Sequence, residues 1–290
     1  MEVTWNAGRA MAELHITSAA NPRVKSLVAL RRRRVRDAEG RTLVDGVAET
    51  ALAVEAGVLP VALYYCPELF TDAAGSGALV SRARHAGSEV IRLSREPFDK
   101  ASYREGPDGI LAVFSTPGRE LTALSLSVMP FLLVCERIEK PGNLGAMLRT
   151  AEAAGVDAVI AVDPVTDWGN PNVVRASKGT VFSVPVATAT RAELASWLAD
   201  RGISMVATTP DTDEVHTEVD YRGPVAIAVG AESVGLTPEA LAMADQCVRI
   251  PMAGKVNSLN AATAAAIVVY EAVRQRSAHA VHPGNSGVSK

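Results

Sequence analysis

Short apolar runs alternate along the chain with longer stretches whose apolar residues recur every three or four positions. This is the pattern of strands and helices in an α/β protein. In the first half, NPRVKSLVALRRRRVRDAEG reads as one helix ending at Gly40, with Asn21 as a cap and Pro22 in its first turn. TLVDG then reads as a strand, AETALAVEAG as a helix, VALYYC as a strand, the stretch near SGALVSRARHAG as a helix, and EVIRLS and GILAVFS as strands. PGRELTALSLS, about 117–127, carries the proline and glycine punctuation of a linker. The spacing then restarts with strand FLLVCE, a helix from Asn143, strand AVIAVD, helix PNVVRASKG, strand SVPVAT and helix AELASWLADRG. Strands SMVATT and PVAIAVG follow, then helix TPEALAMAD, strand CVRIP and a long helix over SLNAATAAAIVVYEAVRQR. The division expected is a domain over 1–116 with a weakly structured start, a linker over 117–127, a second domain over 128–276 and a frayed tail over 277–290.

Composition narrows the classes. With 290 residues and 48% hydrophobic content, the chain can bury one large core or two ordinary ones. The net charge of −3 conceals an asymmetry: residues 1–125 hold 16 Lys and Arg against 15 Asp and Glu, and the remainder 13 against 17. Much of the positive charge lies in Arg31, Arg32, Arg33, Arg34 and Arg36. Such a run is either a solvated helix face or a phosphate-contacting patch, and the run alone does not decide. Cys66, Cys135 and Cys247 are far apart and read as small core residues. The five histidines show neither metal-ligand spacing nor a triad pattern. Metal catalysis is therefore not expected. The chain opens on no charged-then-apolar leader and has no apolar stretch of membrane-spanning length, so the expected compartment is the cytoplasm.

The stretch PGNLGAMLRTAEAAG follows strand FLLVCE, the place where a dinucleotide phosphate commonly sits on a helix N-terminus. Asp163, at the end of the next strand, matches the acidic residue of a dinucleotide fold. The glycines do not match: Gly142 and Gly145 form G-x-x-G with no third glycine, and Asn143 stands where backbone should approach pyrophosphate. An NAD-dependent oxidoreductase with Asp163 on the ribose is thus the weaker reading. Further clusters follow in order: Arg175-Ala176-Ser177-Lys178-Gly179, Gly230-Ala231-Glu232 with Gly235-Leu236, Ile250-Pro251-Met252-Ala253-Gly254, and Asn257-Ser258-Leu259-Asn260.

Three of these segments, Pro141 to Ala151, Gly230 to Leu236 and Ile250 to Asn260, resemble the ordered motifs of the SpoU/TrmH family of SPOUT methyltransferases. The resemblance covers about residues 130–275 and departs at Ala261-Ala262-Thr263-Ala264, where many members carry β-branched or serine residues. It implies 2′-O-ribose methylation of RNA with S-adenosylmethionine, a homodimer, and a trefoil-knotted second domain. The front half is similar to the family's ribosomal-protein-like (L30e-like) RNA-binding domain. The resemblance implies that Gly230, Ala231, Ile250, Met252 and Leu259 hold the cofactor. It places Arg149 in catalysis, with Asn143 and Glu232 orienting loops and the arginine, and Ser258 and Asn260 positioning cofactor and nucleotide. Arg31, Arg32, Arg33, Arg34, Arg36, Arg175 and Lys178 become the expected RNA contacts. Because a guanidinium is effectively never deprotonated, Arg149 suits a phosphate clamp and alkoxide stabiliser better than a base. The two-domain form further resembles members that methylate 23S rRNA, including those conferring thiostrepton or avilamycin resistance. An inactive RNA-binding homologue is the other alternative, opposed by the intact Asn143, Arg149, Glu232, Ser258 and Asn260.

Overall fold

The computed structural model describes residues 14–255 and 258–280 and distributes their strands between two sheets. The first contains β1 (Leu14–Ile16), β2 (Arg41–Asp45), β3 (Ala62–Tyr65), β4 (Glu89–Leu93) and β5 (Ile110–Ser115), in the order β1-β4-β3-β5-β2. β1, β4 and β3 run parallel, whereas β5 is antiparallel to β3 and β2. Its helices are α1 (Pro22–Ala29), α2 (Arg33–Glu39), α3 (Val47–Glu55), α4 (Ala73–His85) and α5 (Arg95–Ala101).

Asn21 caps α1 by accepting from the Arg23 backbone N–H, and Gly40 ends α2 in the left-handed conformation, both as the sequence implies. The helix expected between them is instead two helices. Arg36 reaches back to donate to the carbonyls of Leu30 and Arg31 at 3.0 and 2.9 Å. It thereby satisfies acceptors released where α1 stops, a tertiary substitute for a breaker residue. β1 and α5 are further elements that the sequence pattern did not predict.

The second sheet is entirely parallel, with β6 (Phe131–Glu136), β7 (Ala158–Val162), β8 (Val186–Ala189), β9 (Ser204–Thr208), β10 (Val225–Val229) and β11 (Gln246–Val248) in the order β11-β9-β10-β6-β7-β8. Helices α6 (Pro141–Ala154), α7 (Pro171–Ala176), α8 (Arg191–Ala199), α9 (Pro238–Met243) and α10 (Ala261–Ala280) accompany it. Every residue of β6, β7 and β10 is buried, as the uninterrupted apolar runs of a doubly covered parallel sheet require. α10 packs on α6 and β10 through Ala261, Ala262, Ala265, Val268, Val269 and Ala272. Its small residues permit that close seating. The helix runs to Ala280, past the expected start of the tail; residues 281–290 and Asn257 lie outside the described residues.

The two halves share apolar core. Val44, Ala53, Ala112 and Phe114 belong to the same buried cluster as Leu133, Val159 and Val174, and the rings of Phe114 and Phe182 lie 4.8 Å apart. The stretch over 117–127 is likewise docked, with the Arg119 N–H donating to Val186 and Leu121 buried beneath the second sheet.

Candidate active site

The three motif segments converge beyond the carboxyl ends of β6, β10 and β11, the edge where open parallel sheets place ligands. Pro141 is the first residue of α6, so Gly142 and Asn143 occupy its first turn and do not form a turn ahead of it. Asn143 accepts through Oδ1 from Asn260 Nδ2 at 3.1 Å. That single bond ties the first motif to the third. Asn260 also caps α10, its Oδ1 accepting from the N–H groups of Ala262 and Thr263. The other end of the Asn143 amide, Nδ2, is buried and has no partner among the described residues.

Gly145 has a different task from the phosphate role a strand-helix turn suggests. A Cβ there would lie 2.5 Å from the Ala176 Cβ and 2.7 Å from the Ser177 nitrogen. The glycine is needed because α6 presses directly on the end of α7.

The second motif is a tight loop. The chain turns so sharply after β10 that a side chain on Gly230 would overlap the backbone of Gly235 and Leu236. Ala231 and Gly235 pair across the loop, and Gly235 has φ +70°, which favours glycine. Glu232 projects from this loop with Oε1 buried and unpartnered among the described residues. The loop ends at Thr237, the cap of α9.

Glu136, at the end of β6, was not singled out from sequence. It is buried, accepts from the Thr237 N–H and hydroxyl, both at 2.8 Å, and pairs with Arg191 at 3.2 Å. One carboxylate thus holds the Glu232 loop against the strand that leads to Asn143. Its signal in the sequence is a lone acid closing an otherwise apolar strand. Arg191 also pairs with Asp163, which has φ 45°. The carboxylate proposed for a ribose is committed to an arginine.

In the third motif Ile250, Met252 and Leu259 are half-buried, apolar surface adjoining these loops, and Ser258 is exposed. Cys66 and Cys135 are buried, and burial pushes the Cys135 thiol up to about 12, as suits inert core residues. Among the described residues no group of three or more His, Cys, Asp or Glu could hold a metal, and no helix is long and apolar enough to cross a membrane.

The arginine run divides. Arg31 donates to the carbonyls of Lys100, Ala101 and Ser102, closing the end of α5. Arg33 donates to the Val165 carbonyl and pairs with Asp37. Arg36 corrects the sequence reading: at 2% exposure and ion-paired to Asp167 at 2.6 Å, it cannot face RNA. The side chains of Arg32 and Arg34 are exposed and make no hydrogen bond or ion pair among the described residues. The same holds for Arg149 on α6, Arg175 on α7 and Lys178 beyond it.

Buried unpartnered polar atoms and half-buried apolar side chains on loops at one edge of a parallel sheet, with exposed cations on the helices α6 and α7, place the chain among α/β proteins that take a ligand at that edge. Comparison with known proteins specifies which. Residues 130–270 match the SpoU rRNA Methylase family and residues 21–112 the MRM3-like substrate binding domain. The chain is 31% identical over 269 residues to an uncharacterised tRNA/rRNA methyltransferase of Synechocystis, covering 90% of this chain and 94% of that one. It is 32% identical over 263 residues to the 23S rRNA (uridine(2479)-2′-O)-methyltransferase of Streptomyces viridochromogenes, covering 87% and 88%. The AdoMet-bound rRNA methyltransferase of Sinorhizobium meliloti superposes with a TM-score of 0.82 at 29% identity, covering 90% and 97%. The chain belongs to the SpoU rRNA methylase family.

Proposed function

We propose that this chain methylates a ribose 2′-hydroxyl of 23S rRNA using S-adenosylmethionine. The observation that carries the reading is the Asn143–Asn260 bond, which joins two motifs; Asn143 Nδ2 and, on the second motif, Glu232 Oε1 are buried without a partner among the described residues. Buried polar atoms are normally satisfied, and in this reading ligand groups supply the partners of these two. Gly230, Ala231, Ile250, Met252 and Leu259 are the residues assigned to the cofactor. Tight loop backbone suits an adenine edge and the apolar side chains suit its faces. No metal is required by this donor set.

The bound cofactor supplies an electrophilic methyl group for in-line displacement. The residues of the chain would have to present the ribose 2′-oxygen to that methyl group. The protein must therefore hold the ribose oxygen in line and stabilise charge developing on it. Arg149 is assigned that stabilisation together with a phosphate contact, Asn143 and Glu232 the orientation of the loops and the arginine, and Ser258 and Asn260 the placement of cofactor and nucleotide. Arg32, Arg34, Arg175 and Lys178 extend the cationic track.

The same reading includes an L30e-like first domain over 1–116, a linker over 117–127, and a catalytic domain over 128–276 whose C-terminal segment forms a trefoil knot. It also includes a homodimer, favoured by exposed Tyr270 on α10 and exposed Val234 beside Glu232. Calorimetry with S-adenosylmethionine, followed by methyl transfer to protein-free 23S rRNA, tests the activity. Absence of both binding and transfer refutes it. The resemblance to members that confer thiostrepton or avilamycin resistance motivates one refinement: expression in a susceptible bacterium should raise resistance to avilamycin or thiostrepton, and unchanged inhibitory concentrations for both remove that role.

A further inference from the structure

Arg36 lies in the middle of a cationic segment, yet its charge is spent inside the protein. Its guanidinium makes four hydrogen bonds. Nη1 donates to the Leu30 and Arg31 carbonyls, fixing the backbone immediately ahead of Arg32. Nε and Nη2 donate to Asp167 Oδ1 and Oδ2 at 3.1 and 2.6 Å, a two-pronged grip on the loop between β7 and α7. The side chains are 2% and 13% exposed, so solvent screens the pair little.

Asp167 lies three residues ahead of Asn170, whose side chain caps α7 by accepting from the Asn172 N–H. α7 carries Arg175, and Lys178 follows its end. Two further ties reinforce the junction: Thr42 Oγ1 donates to the Gly169 carbonyl, and Gly179 packs so closely on the Glu49 backbone that a Cβ would lie 2.8 Å from its carbonyl oxygen. The same two-pronged pair therefore sets both the backbone that presents Arg32 and Arg34 and the loop that launches Arg175 and Lys178.

A buried ion pair adds little stability over apolar side chains of the same size, whereas it enforces one geometry. We infer that Arg36 and Asp167 are a positioning pair that fixes the first domain's exposed arginines relative to the cations of α7. Through that angle they set which nucleotide of a docked RNA reaches Arg149. This rests on the reading of Arg32 and Arg34 as RNA contacts.

The test uses the full chain, protein-free 23S rRNA and three variants: Arg36→Lys, Asp167→Asn, and the double variant Arg36→Met with Asp167→Leu, which removes both charges at similar volume. Affinity for S-adenosylmethionine, KM for RNA, and the methylated position mapped at nucleotide resolution are read together. In the double variant cofactor affinity should match the wild type. KM for RNA should rise about tenfold or more and methylation should spread to neighbouring nucleotides, since misplacement of about 1 Å is enough to cost two orders of magnitude in a positioned reaction. Arg36→Lys, which keeps the charge and loses the fork, should fall between, and it decides the matter with Asp167→Asn if the double variant does not fold. Folded variants with wild-type KM and a single wild-type position overturn the inference. If Arg32→Ala with Arg34→Ala leaves RNA affinity and its salt dependence unchanged, the underlying reading of the RNA face fails instead.

Discussion

Substituting Gly145 by alanine separates two opposite expectations by sign. A glycine inside a helix ordinarily costs about 1 kcal/mol against alanine, so Gly145→Ala on an isolated helix would stabilise. Here the added methyl would lie 2.5 Å from the Ala176 Cβ and 2.7 and 2.8 Å from the Ser177 nitrogen and Ala176 carbonyl carbon. Ordinary carbon contacts are about 3.5–4.0 Å, so α6 and α7 would have to separate by roughly 1 Å. Two of the opposing atoms are backbone and cannot rotate aside. Overpacking of this kind costs about 2–3 kcal/mol, which leaves roughly 1–2 kcal/mol of net destabilisation after the propensity gain. For a chain of this size that corresponds to a fall in Tm of roughly 2–8 °C. Gly142 is the control: a Cβ there meets nothing within 4 Å, so Gly142→Ala should be neutral or slightly stabilising. Thermal and urea unfolding of the three proteins measures the difference. Because α6 carries Asn143 and Arg149, single-turnover methyl transfer by Gly145→Ala should fall by about 10²-fold, more than its stability loss implies. A raised Tm for Gly145→Ala would refute the close-packing argument and return the glycine to a role at the ligand.

The remaining expectations concern single groups. Arg149→Lys should retain part of the methyl transfer that Arg149→Ala loses, with cofactor affinity unchanged in both; a lysine variant of wild-type rate with its pH–rate profile displaced to lower pH would favour a base instead. Glu136→Ala removes the acceptor shared by Thr237 and Arg191 and should cost about 3 kcal/mol in urea unfolding while weakening cofactor binding; wild-type affinity for S-adenosylmethionine would detach Glu136 from the loop. Burial raises the carboxyl groups of Asp45 and Glu49 above their ordinary values of 3.8 and 4.5. The folded state therefore holds their protons more tightly, a contribution present below about pH 4 and lost as pH rises through the raised values. Asp45→Asn with Glu49→Gln should gain stability relative to wild type as pH rises above about 4, and a difference that does not change with pH would contradict the sign. Exhaustive chelation should leave methyl transfer intact, and its loss would indicate a metal.

Most of the second sheet was legible because its strands are buried on both faces and read as apolar runs, as in FLLVCE and PVAIAVG. β1 was not legible: three residues, LHI, gain their identity only by pairing with β4 some 77 positions away. α5 escaped because REPFDKA has seven residues with a proline inside, and its closing carbonyls are capped by a distant arginine, Arg31. The motif residues stand out in the sequence through a resemblance to the ordered motifs of a family, which residue type and spacing alone would not have supplied. Glu136 belongs to the same site but performs a supporting bond, and nothing about a strand-terminal acid distinguishes that task from a solvated one until Thr237 and Arg191 are seen around it.

The arginine run shows where residue type ceases to predict role. Five cations within six positions look alike in sequence, and the electrostatic expectation for each is the same phosphate. The fold separates them by which acceptors happen to be nearby. Arg31 meets the open end of α5, Arg36 meets both the open end of α1 and Asp167, and only Arg32 and Arg34 are left fully to solvent. A salt-dependence measurement should therefore respond to two arginines of the run and not five. The slope lost on Arg32→Ala with Arg34→Ala should be about 1.4–1.8, the contribution of two phosphate contacts on RNA of mixed strandedness. Replacing Arg31 or Arg36 should instead change the protein's stability and, for Arg36, the geometry with which the remaining cations meet the RNA.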